Sequence, residues 1–360
     1  MKILHVITSL QTGGAEKLVT DIVPMLRVKG LDVDVCLFDG QETAFKKRLE
    51  KSGCRIYSFS NGGNVYNPMN IFRLAKIIKN YDIVHTHNTA PQLFAAIGMV
   101  ITPAARRCRL VTTEHTTSNR RRHIKWYSRI DKWMYRQYSS IICISNQAEE
   151  NLRKYLNGKY PIKTIFNGVD VSCFHNATPI ANVKKEGKFA IIMVAGFRYE
   201  KDQDTLIKAM TKLDKDKYEL WLVGDGERRD MLEKLSAELG VSDRVKFLGL
   251  RTDVAELLHT ADVVVMSSHW EGLSLSNIEG MSVGKPFVAS DVDGLREVTD
   301  GYGILFEHGN EDKLAETITR LHDDKAYYDK IAAACYERAK QFDINKTVEG
   351  YYELYRELQL

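Results

Sequence analysis

The sequence predicts an α/β fold with two doubly wound, parallel-sheet domains that face each other across a cleft. Short apolar runs alternate with amphipathic helical stretches along both halves of the chain. A polar stretch at 172–188 interrupts this alternation once. At 360 residues the chain is long enough for two domains of ordinary size. We therefore expect a first domain at 1–171, a linker at 172–188 and a second domain at 189–345.

The first half carries a series of short apolar runs with the length and composition of buried strands. Helical stretches such as Glu16–Lys29 and Asn70–Lys79 lie between them. Strand, helix and strand in succession are typical of a parallel sheet with helices on both faces. The strands predicted here are Ile3–Ile7, Val33–Phe38, Ile56–Phe59, Ile83–His85, Leu110–Thr113, Ile141–Ile144 and Thr164–Phe166.

The second half repeats this order after the polar stretch. Its apolar runs are again separated by helical patterns, so we expect a second parallel sheet. The strands predicted here are Ala190–Val194, Tyr218–Val223, Val245–Leu248, Val263–Met266, Pro286–Ala289 and Gly303–Phe306.

The composition is that of a soluble globular protein, with 44% hydrophobic and 27% charged residues. No apolar run approaches the length of a membrane-spanning helix. The pattern at the start of the chain predicts a first strand rather than a secretory signal. The six cysteines are widely spaced and lack a Cys-x-x-Cys pair. We expect reduced thiols and a cytoplasmic protein that can associate peripherally with the inner face of a membrane.

The charge is unevenly divided between the halves. Residues 1–170 hold 26 Lys and Arg against 13 Asp and Glu, whereas the remainder holds 25 against 34. The densest basic cluster, at 119–127, contains Arg120, Arg121 and Arg122 beside aromatic residues. Such a cluster suits an anionic acceptor or anionic lipid head groups, and we assign it to the acceptor side rather than to nucleic acid. The alternative is a solvated basic face.

The most informative motif is a pair of glutamates eight positions apart, Glu271 and Glu279. The pair follows the strand Val263–Met266, and the helix that we expect to begin near Ser274 starts between the two residues and includes Glu279. A helix N-terminus after a parallel strand favours anionic or hydroxylated ligands. Carboxylates accept hydrogen bonds from sugar hydroxyls, so the spacing predicts one ligand held at both ends. The alternative is two solvated acids.

A glycine pair, Gly13 and Gly14, follows the first strand and opens a helix. Glycine lets backbone N–H groups approach a diphosphate or an acceptor closely. The pattern is not Gly-x-Gly-x-x-Gly and lacks the acidic residue expected for a nicotinamide dinucleotide. A simple tight turn is the alternative.

Two cations, Arg198 and Lys201, follow the first strand of the second half. Cations at this edge can neutralise a departing diphosphate. Exposed side chains paired with Glu200 and Asp202 are the alternative.

Three histidines lie at the ends of first-half strands, namely His85, His87 and His115. His115 suits a hydrogen bond to a donor hydroxyl, and the alternative is a structural histidine. No second Cys, His or Asp cluster in the sequence accompanies His85 and His87, so we expect no metal site.

Taken together, these motifs resemble those of the retaining glycosyltransferases of family 4, which have the GT-B fold. The resemblance covers nearly the whole chain and also includes Asn167-Gly168-Val169-Asp170, Val223-Gly224-Asp225-Gly226 and Gly284-Lys285-Pro286. It implies that the helix at 346–360 packs back on the first domain. One departure is that Gly196 stands where the family usually has an arginine, five residues before the lysine.

The resemblance implies a nucleotide-diphosphate-sugar donor, of which a UDP-sugar is expected, and no further cofactor. Glu279 is expected to bind the ribose, and Glu271 the sugar. The residues expected to act in catalysis are Glu271, His115 and Lys201. Those expected to bind the donor are Gly14, Arg198, Lys201, Arg251, Gly272, Leu273, Ser274 and Glu279; Gly13 and the three arginines at 120–122 are expected on the acceptor side.

The expected activity is transfer of a sugar, with retention and without a metal, to a hydroxyl of a saccharide or lipid-linked saccharide in surface-polysaccharide synthesis. Two alternatives remain at this point. One is an epimerase of the GT-B fold that acts on the nucleotide sugar alone, and the other is a non-catalytic binder of an anionic polymer.

Overall fold

A computed structural model describes residues 1–11, 13–115, 125–272 and 274–359. The chain divides into two compact units. The first consists of 1–167 together with 344–360, and the second of 168–343.

The first domain is a parallel α/β domain. Its strands are β1 (Lys2–Ile7), β2 (Asp32–Leu37), β3 (Ile56–Ser58), β4 (Ile83–His87), β5 (Arg109–Glu114), β6 (Ser140–Cys143) and β7 (Ile162–Thr164). Its helices are α1 (Gly14–Val28), α2 (Ala44–Lys51), α3 (Met69–Ile78), α4 (Thr89–Ile101), α5 (Lys125–Tyr135) and α6 (Asn146–Leu156), followed at the end of the chain by α15 (Ile344–Gln359).

The second domain repeats this architecture. Its helices are α7 (Val171–His175), α8 (Gln203–Ala209), α9 (Arg229–Glu238), α10 (Val254–Thr260), α11 (Leu275–Ser282), α12 (Asp293–Thr299), α13 (Glu311–Asp323) and α14 (Lys325–Ala339). Its strands are β8 (Phe189–Val194), β9 (Tyr218–Val223), β10 (Val245–Gly249), β11 (Val263–Met266), β12 (Phe287–Ser290) and β13 (Ile304–Phe306).

Each sheet reverses its strand order at one point. The first sheet runs β3-β2-β1-β4-β5-β6-β7 and the second runs β10-β9-β8-β11-β12-β13, with parallel pairing throughout the described ladders. The reversal lies between β1 and β4 in the first domain and between β8 and β11 in the second. Open parallel sheets bind ligands at this position, outside the carboxyl ends of the strands.

The core of the first domain follows from the alternation of side chains along β1. Ile3 and Ile7 pack on one face with residues of α1 and α15, and Leu4 and Val6 pack on the other face. Tyr351 and Tyr355 of α15 are buried in the first of these clusters. The last helix therefore completes the first domain, although the rest of that domain ends at residue 167.

Residues 172–188, the predicted linker, group with the second domain. The backbone N–H of Ile180 donates to Thr260 at 2.8 Å, and that of Lys185 donates to the buried Glu219 at 3.1 Å. The ammonium of Lys184 also contacts Asp262 at 2.7 Å. Several polar groups of this stretch thus bond to the second domain, although many of its residues are exposed.

Candidate active site

Two adjacent strands of the second domain bring Lys201 and Glu271 together. β8 and β11 are paired neighbours at the reversal point, and each is followed by a loop that carries one of these residues. The Lys201 ammonium forms an ion pair with Oε1 of Glu271, and the two side chains are 21% and 10% exposed. The pair joins residues 70 positions apart in the sequence. The fold thus connects the two charged motifs that the sequence shows separately.

The carboxylate of Glu271 is held from a second direction as well. The hydroxyl of Ser268 donates to the same Oε1 at 2.9 Å. Among the described residues, Oε2 of Glu271 accepts no hydrogen bond. Glu271 therefore has a fixed orientation and a free oxygen that can accept a hydrogen bond from a ligand hydroxyl.

The loops that carry Lys201 and Glu271 are joined by hydrogen bonds to backbone carbonyls. The hydroxyl of Ser267 donates to the carbonyl of Asp202 at 2.7 Å, and the backbone N–H of His269 donates to the carbonyl of Glu200 at 2.9 Å. Asp202 has φ +47° and caps α8 by accepting from the N–H of Thr205 at 3.3 Å. These bonds fix the position of the ion pair relative to the sheet.

Gly294, in α12, lies against the Glu271 loop. A Cβ at this position would lie 2.3 Å from the carbonyl oxygens of both Glu271 and Gly272. Only glycine lets α12 approach this closely. The backbone on which Glu271 is mounted is therefore supported by direct contact with α12.

Glu279 lies on α11, the helix that follows this loop. It is 7% exposed, whereas a glutamate is rarely buried so deeply. Ser274 is the residue that precedes the helix, and its side chain makes no capping hydrogen bond. A Cβ on Gly272 would meet nothing within 4 Å. Leu273, also predicted to bind the donor, lies outside the described residues.

The two predicted donor arginines are placed differently from Lys201. The side chain of Arg198 is 66% exposed and lies 4.0 Å from a carboxylate oxygen of Glu200. Arg251 donates to both carboxylate oxygens of Asp253, at 2.7 and 2.5 Å. Asp253 raises the pKa of the Arg251 guanidinium, and Arg251 in turn lowers the pKa of the Asp253 carboxyl. Both arginines thus have local acidic neighbours, as one of the sequence alternatives anticipated for Arg198.

In the first domain, the glycine pair is at the start of α1. Gly13 is the N-cap, and a Cβ there would lie 2.2 Å from Oε2 of Glu16. Gly14 is exposed, and a Cβ there would meet nothing within 4 Å. Burial raises the pKa of Glu16. Arg120, Arg121 and Arg122, the predicted acceptor-side residues, lie outside the described residues, and so does Thr12.

The predicted strand Ile83–His85 extends two residues further, so both His85 and His87 lie in the last part of β4, where both are fully buried. They lie beside His5 of β1, which is also fully buried. His115 follows β5 and is only partly buried. Burial lowers the pKa of all four imidazoles, of His5 to about 3 and of His115 to about 4.

Two family models together account for most of the chain. The model described as Glycosyltransferase Family 4 matches residues 12–172, and the model described as Glycosyl transferases group 1 matches residues 176–342. The chain belongs to glycosyltransferase family 4.

Curated relatives are similar over much or all of this family 4 protein. It is 26% identical over 369 residues to the lipopolysaccharide core biosynthesis glycosyltransferase LpsD of Rhizobium meliloti, covering 99% of this chain and 98% of the relative. It is 27% identical over 311 residues to the UDP-Gal:alpha-D-GlcNAc-diphosphoundecaprenol alpha-1,3-galactosyltransferase of Escherichia coli, covering 79% and 78%. The protein is therefore a glycosyltransferase.

A solved structure agrees with the architecture. The crystal structure of Anabaena Alr3699/HepE in complex with UDP-glucose is 26% identical and covers 99% of this chain and all of the other, with a TM-score of 0.85. The fold is GT-B, as the sequence predicted. Within the described part of the chain, no helix combines the length and the apolar character that a membrane crossing requires.

Two groups in the described residues of this glycosyltransferase bring possible metal ligands within 4.8 Å of one another. One is His5, His85 and His87 in the first domain. The other is Asp202, His269 and His308 in the second, where Nδ1 of His269 lies 2.7 Å from Nε2 of His308. Sequence reasoning missed the second group because its members come from three separate loops. The expected absence of a metal requirement stays a prediction.

Sequence reasoning also missed three residues that contact the predicted ones: Ser268 and Gly294 at the Glu271 loop, and His5 beside His85 and His87. Ser268 stands three positions before Glu271, so a hydroxyl beside the key acid was a readable signal. Gly294 carries no such signal, because its importance arises from a contact with a loop more than twenty positions away. His5 appears in the sequence as one polar residue in an apolar strand, and only the sheet register shows its neighbours.

Proposed function

We propose that this glycosyltransferase transfers a sugar from a UDP-sugar, with retention of anomeric configuration, to a hydroxyl of a saccharide or lipid-linked saccharide in surface-polysaccharide synthesis. The observation that carries the proposal is the Lys201–Glu271 ion pair at the reversal point of the second sheet, with the buried Glu279 on the next helix. A buried acid and an oriented acid on one strand-loop-helix unit provide two hydrogen-bonding ends for one ligand.

The second domain provides a separate chemical group for each part of such a donor. Glu279 accepts hydrogen bonds from the ribose diol, and the free oxygen of Glu271 accepts one from the sugar. Lys201 lies beside the diphosphate, where its ammonium offsets charge that develops on the leaving group. Gly272 and Ser274 offer backbone N–H groups at the start of α11. Arg198 and Arg251 are secondary contacts, to the diphosphate and the base.

The proposed reaction proceeds on the face from which the nucleotide leaves. The acceptor hydroxyl attacks the anomeric carbon as the bond to the diphosphate oxygen breaks, and a donor phosphate oxygen takes the hydroxyl proton. Glu271 orients the sugar and does not form a covalent bond. His115 of the first domain, at the end of β5, binds a substrate hydroxyl.

The identity of donor and acceptor draws support from relatives. The Anabaena structure contains UDP-glucose, and the Escherichia coli relative is named for a UDP-Gal donor and a diphosphoundecaprenol-linked acceptor. The Rhizobium relative is named for lipopolysaccharide core biosynthesis. The excess of positive charge in residues 1–170 suits an acceptor with a diphosphate or a surface of anionic lipid. Peripheral association with the inner face of a membrane belongs to this proposal.

The cations already present in the second domain support a metal-independent transfer. Lys201 can offset the charge of the diphosphate without a divalent ion. We expect turnover to persist after dialysis against EDTA. Loss of turnover with EDTA and recovery with added Zn²⁺ or Mg²⁺ would contradict metal independence and leave the sugar-transfer proposal intact.

The test of the proposed function is transfer by wild-type protein and by Glu271→Gln, with Glu238→Gln as the matched control. Glu238 is an exposed glutamate of α9 in the same domain. With UDP-sugars and a diphosphate-linked saccharide acceptor, Glu271→Gln should lose roughly 10²-fold or more in kcat. The control should retain wild-type kcat, and both variants should keep the wild-type circular dichroism spectrum.

The same assay tests the stereochemistry and the earlier alternatives. Nuclear magnetic resonance of the product should show the anomeric configuration of the donor. Inverted product would contradict retention. Conversion of the nucleotide sugar without any acceptor would favour the epimerase, and polymer binding without nucleotide-sugar binding would favour the anionic-polymer binder. Wild-type turnover by Glu271→Gln would overturn the assignment of Glu271.

A further inference from the structure

A chain of hydrogen bonds between imidazoles crosses the reversal point of the first sheet. Nδ1 of His5 lies 3.0 Å from Nε2 of His87, and Nδ1 of His87 lies 2.9 Å from Nε2 of His115. At the other end, the hydroxyl of Tyr355 lies 3.3 Å from Nε2 of His5 and 2.5 Å from Nδ1 of His85. We call these five residues the histidine chain. It links α15, β1, β4 and the end of β5.

The sheet register explains why these side chains meet. His5 is paired with His85 across β1 and β4, so both point to the same face of the sheet, and His87 is two residues further along that face. Tyr355 of α15 covers this face and is fully buried. Each imidazole has two ring nitrogens, and a buried ring nitrogen needs a hydrogen-bond partner in the protein because water cannot reach it.

Most ring nitrogens of the histidine chain have hydrogen-bond partners in the protein. Both ring nitrogens of His5 and His87 lie in hydrogen bonds within the chain. Nε2 of His85 bonds to the hydroxyl of Thr113 at 2.7 Å. A metal bound by these residues would have to displace several of these hydrogen bonds. The geometry therefore fits a network of neutral imidazoles better than a metal centre, and burial holds the pKa of each ring below its ordinary value.

A neutral imidazole donates from one nitrogen and accepts at the other, so one choice along the chain fixes all the others. Tyr355 has a single hydroxyl proton and two imidazole neighbours. The hydroxyl lies much closer to Nδ1 of His85, at 2.5 Å, than to Nε2 of His5, at 3.3 Å, so we assign its proton to the shorter contact. Tyr355 therefore donates to His85 and accepts from Nε2–H of His5.

The consequence passes to the last member of the chain. With its proton on Nε2, His5 accepts at Nδ1 from Nε2–H of His87. His87 then accepts at Nδ1 from Nε2–H of His115. The Nδ1 atom of His115 is left with a lone pair, and it has no hydrogen-bond partner among the described residues.

We propose that Tyr355 is a positioning residue that fixes His115 as the Nε2–H tautomer, so that Nδ1 of His115 accepts a hydrogen bond from a hydroxyl of the saccharide substrate. The identity of this ligand rests on the proposed function, whereas the tautomer of His115 does not. A residue of the last helix thus sets the hydrogen-bonding character of an imidazole at the carboxyl edge of the sheet, through His5 and His87.

The variant Tyr355→Phe tests the direction of the chain. It removes the acceptor of the His5 Nε2–H group, and a buried N–H without a partner costs more than a buried lone pair without one. His5 should therefore change tautomer, His87 should follow, and His115 should become the Nδ1–H tautomer. Tyr351→Phe is the matched control, because Tyr351 is a buried tyrosine of the same helix whose hydroxyl contacts Thr113 at 3.2 Å and not His5.

The measurement is ¹⁵N nuclear magnetic resonance of histidine-labelled full-length protein at neutral pH, with His115 assigned by its loss in His115→Asn. Protonated and bare ring nitrogens have well-separated shifts, so each tautomer is read directly. We expect bare Nδ1 in wild-type and Tyr351→Phe protein, and bare Nε2 in Tyr355→Phe. A bare Nε2 in the wild type, or a tautomer that Tyr355→Phe leaves unchanged, would overturn the proposal.

A kinetic cycle provides the second readout. Tyr355→Phe should lower kcat/KM for sugar transfer by about tenfold, the value of one hydrogen bond to substrate. His115→Asn places an amide at the position of Nδ1, and an amide has no tautomer for Tyr355 to set. Adding Tyr355→Phe to His115→Asn should therefore lower kcat/KM no further. An equal loss of kcat/KM on adding Tyr355→Phe to the wild type and to His115→Asn would show that Tyr355 acts only through packing. Because the resonance measurement needs no substrate, failure of the proposed function would leave the tautomer result standing.

Discussion

The two domains place polar groups at the same topological position but use different chemistry there. The first domain has neutral imidazoles inside the strands at the β1/β4 reversal, whereas the second has an ion pair in loops beyond the strands at the β8/β11 reversal. Groups inside a sheet have no access to water, so they must satisfy one another. Groups in loops can exchange their partners for a ligand. The comparison separates a region with a fixed internal hydrogen-bond pattern from one that we propose binds a charged, hydroxylated ligand.

The largest expected effect is a loss of stability of the first domain in acid. An unfolded histidine titrates near pH 6.5, and burial lowers the pKa of His5 to about 3 and of His115 to about 4. Below pH 6.5 the unfolded chain therefore binds more protons than the folded one, so the free energy of unfolding falls as the pH falls. The expected slope is ~1.4 kcal/mol per pH unit for each such histidine.

Urea unfolding at pH 7 and pH 5 measures this loss, with His5→Gln as the comparison. The variant should lose less stability between the two pH values than the wild type, by roughly 2 kcal/mol. Equal losses of stability in wild type and variant would show that the protonation of His5 does not change on unfolding. The buried imidazoles would then not distinguish the first domain from the second in acid.

The next effect concerns the support of Glu271. Gly294→Ala introduces a Cβ 2.3 Å from two carbonyl oxygens of the Glu271 loop, so the loop or α12 must move. A displacement of this kind should lower kcat by about a hundredfold while the protein remains folded. Asp293→Ala, at an exposed position of the same helix, is the control and should behave as the wild type. Transfer rates and circular dichroism of both variants distinguish a moved site from an unfolded domain, and unchanged kcat in Gly294→Ala would show that the contact is not required.

A smaller effect is expected at the cation of the ion pair. Lys201→Met leaves the Glu271 carboxylate without its partner and removes a charge from the proposed diphosphate position. Donor affinity should fall by about tenfold or more. Titration calorimetry with UDP measures the change, and Lys208→Met, an exposed lysine of α8, should leave the affinity as it is. Tighter binding of UDP by Lys201→Met would contradict the placement of the diphosphate beside Lys201.

The smallest effect is expected at Arg251, because Asp253 already holds both sides of its guanidinium. Arg251→Ala should change the Kd for UDP by about threefold or less. Asp253→Ala removes the ion-pair partner of Arg251 and is the companion variant. A tenfold loss of UDP affinity in Arg251→Ala would show that Arg251 leaves Asp253 to bind the base.

Much of the fold could be predicted from the sequence, because the apolar runs locate the bounds of the strands in both sheets to within a few residues. β9 and β11 match their predicted bounds, and β4 extends two residues beyond its predicted end because Thr86 and His87 are polar residues inside a sheet. The hydrogen bonds of the polar stretch at 172–188 could not be predicted either, since composition does not reveal which polar groups have internal partners.

The candidate site was readable only in part. The sequence around Glu271 and Glu279 predicted one acid in a loop and the other in the helix that follows. The preceding strand predicted that both lie at the carboxyl edge of a sheet. The Lys201–Glu271 pair required knowledge that β8 and β11 are neighbours, which local sequence does not give. The histidine chain required both the register of β1 with β4 and the return of α15 to the first domain.

The central claim is that the second domain binds a nucleotide sugar through Glu271 and Glu279, and titration calorimetry of UDP-glucose with the full-length protein tests it most directly. The account predicts saturable binding by the wild type and by Glu238→Gln, and binding weakened by about tenfold or more in Glu279→Gln, which loses a charged acceptor for the ribose. No binding of any nucleotide sugar at millimolar concentration, or wild-type affinity in Glu279→Gln, would contradict it.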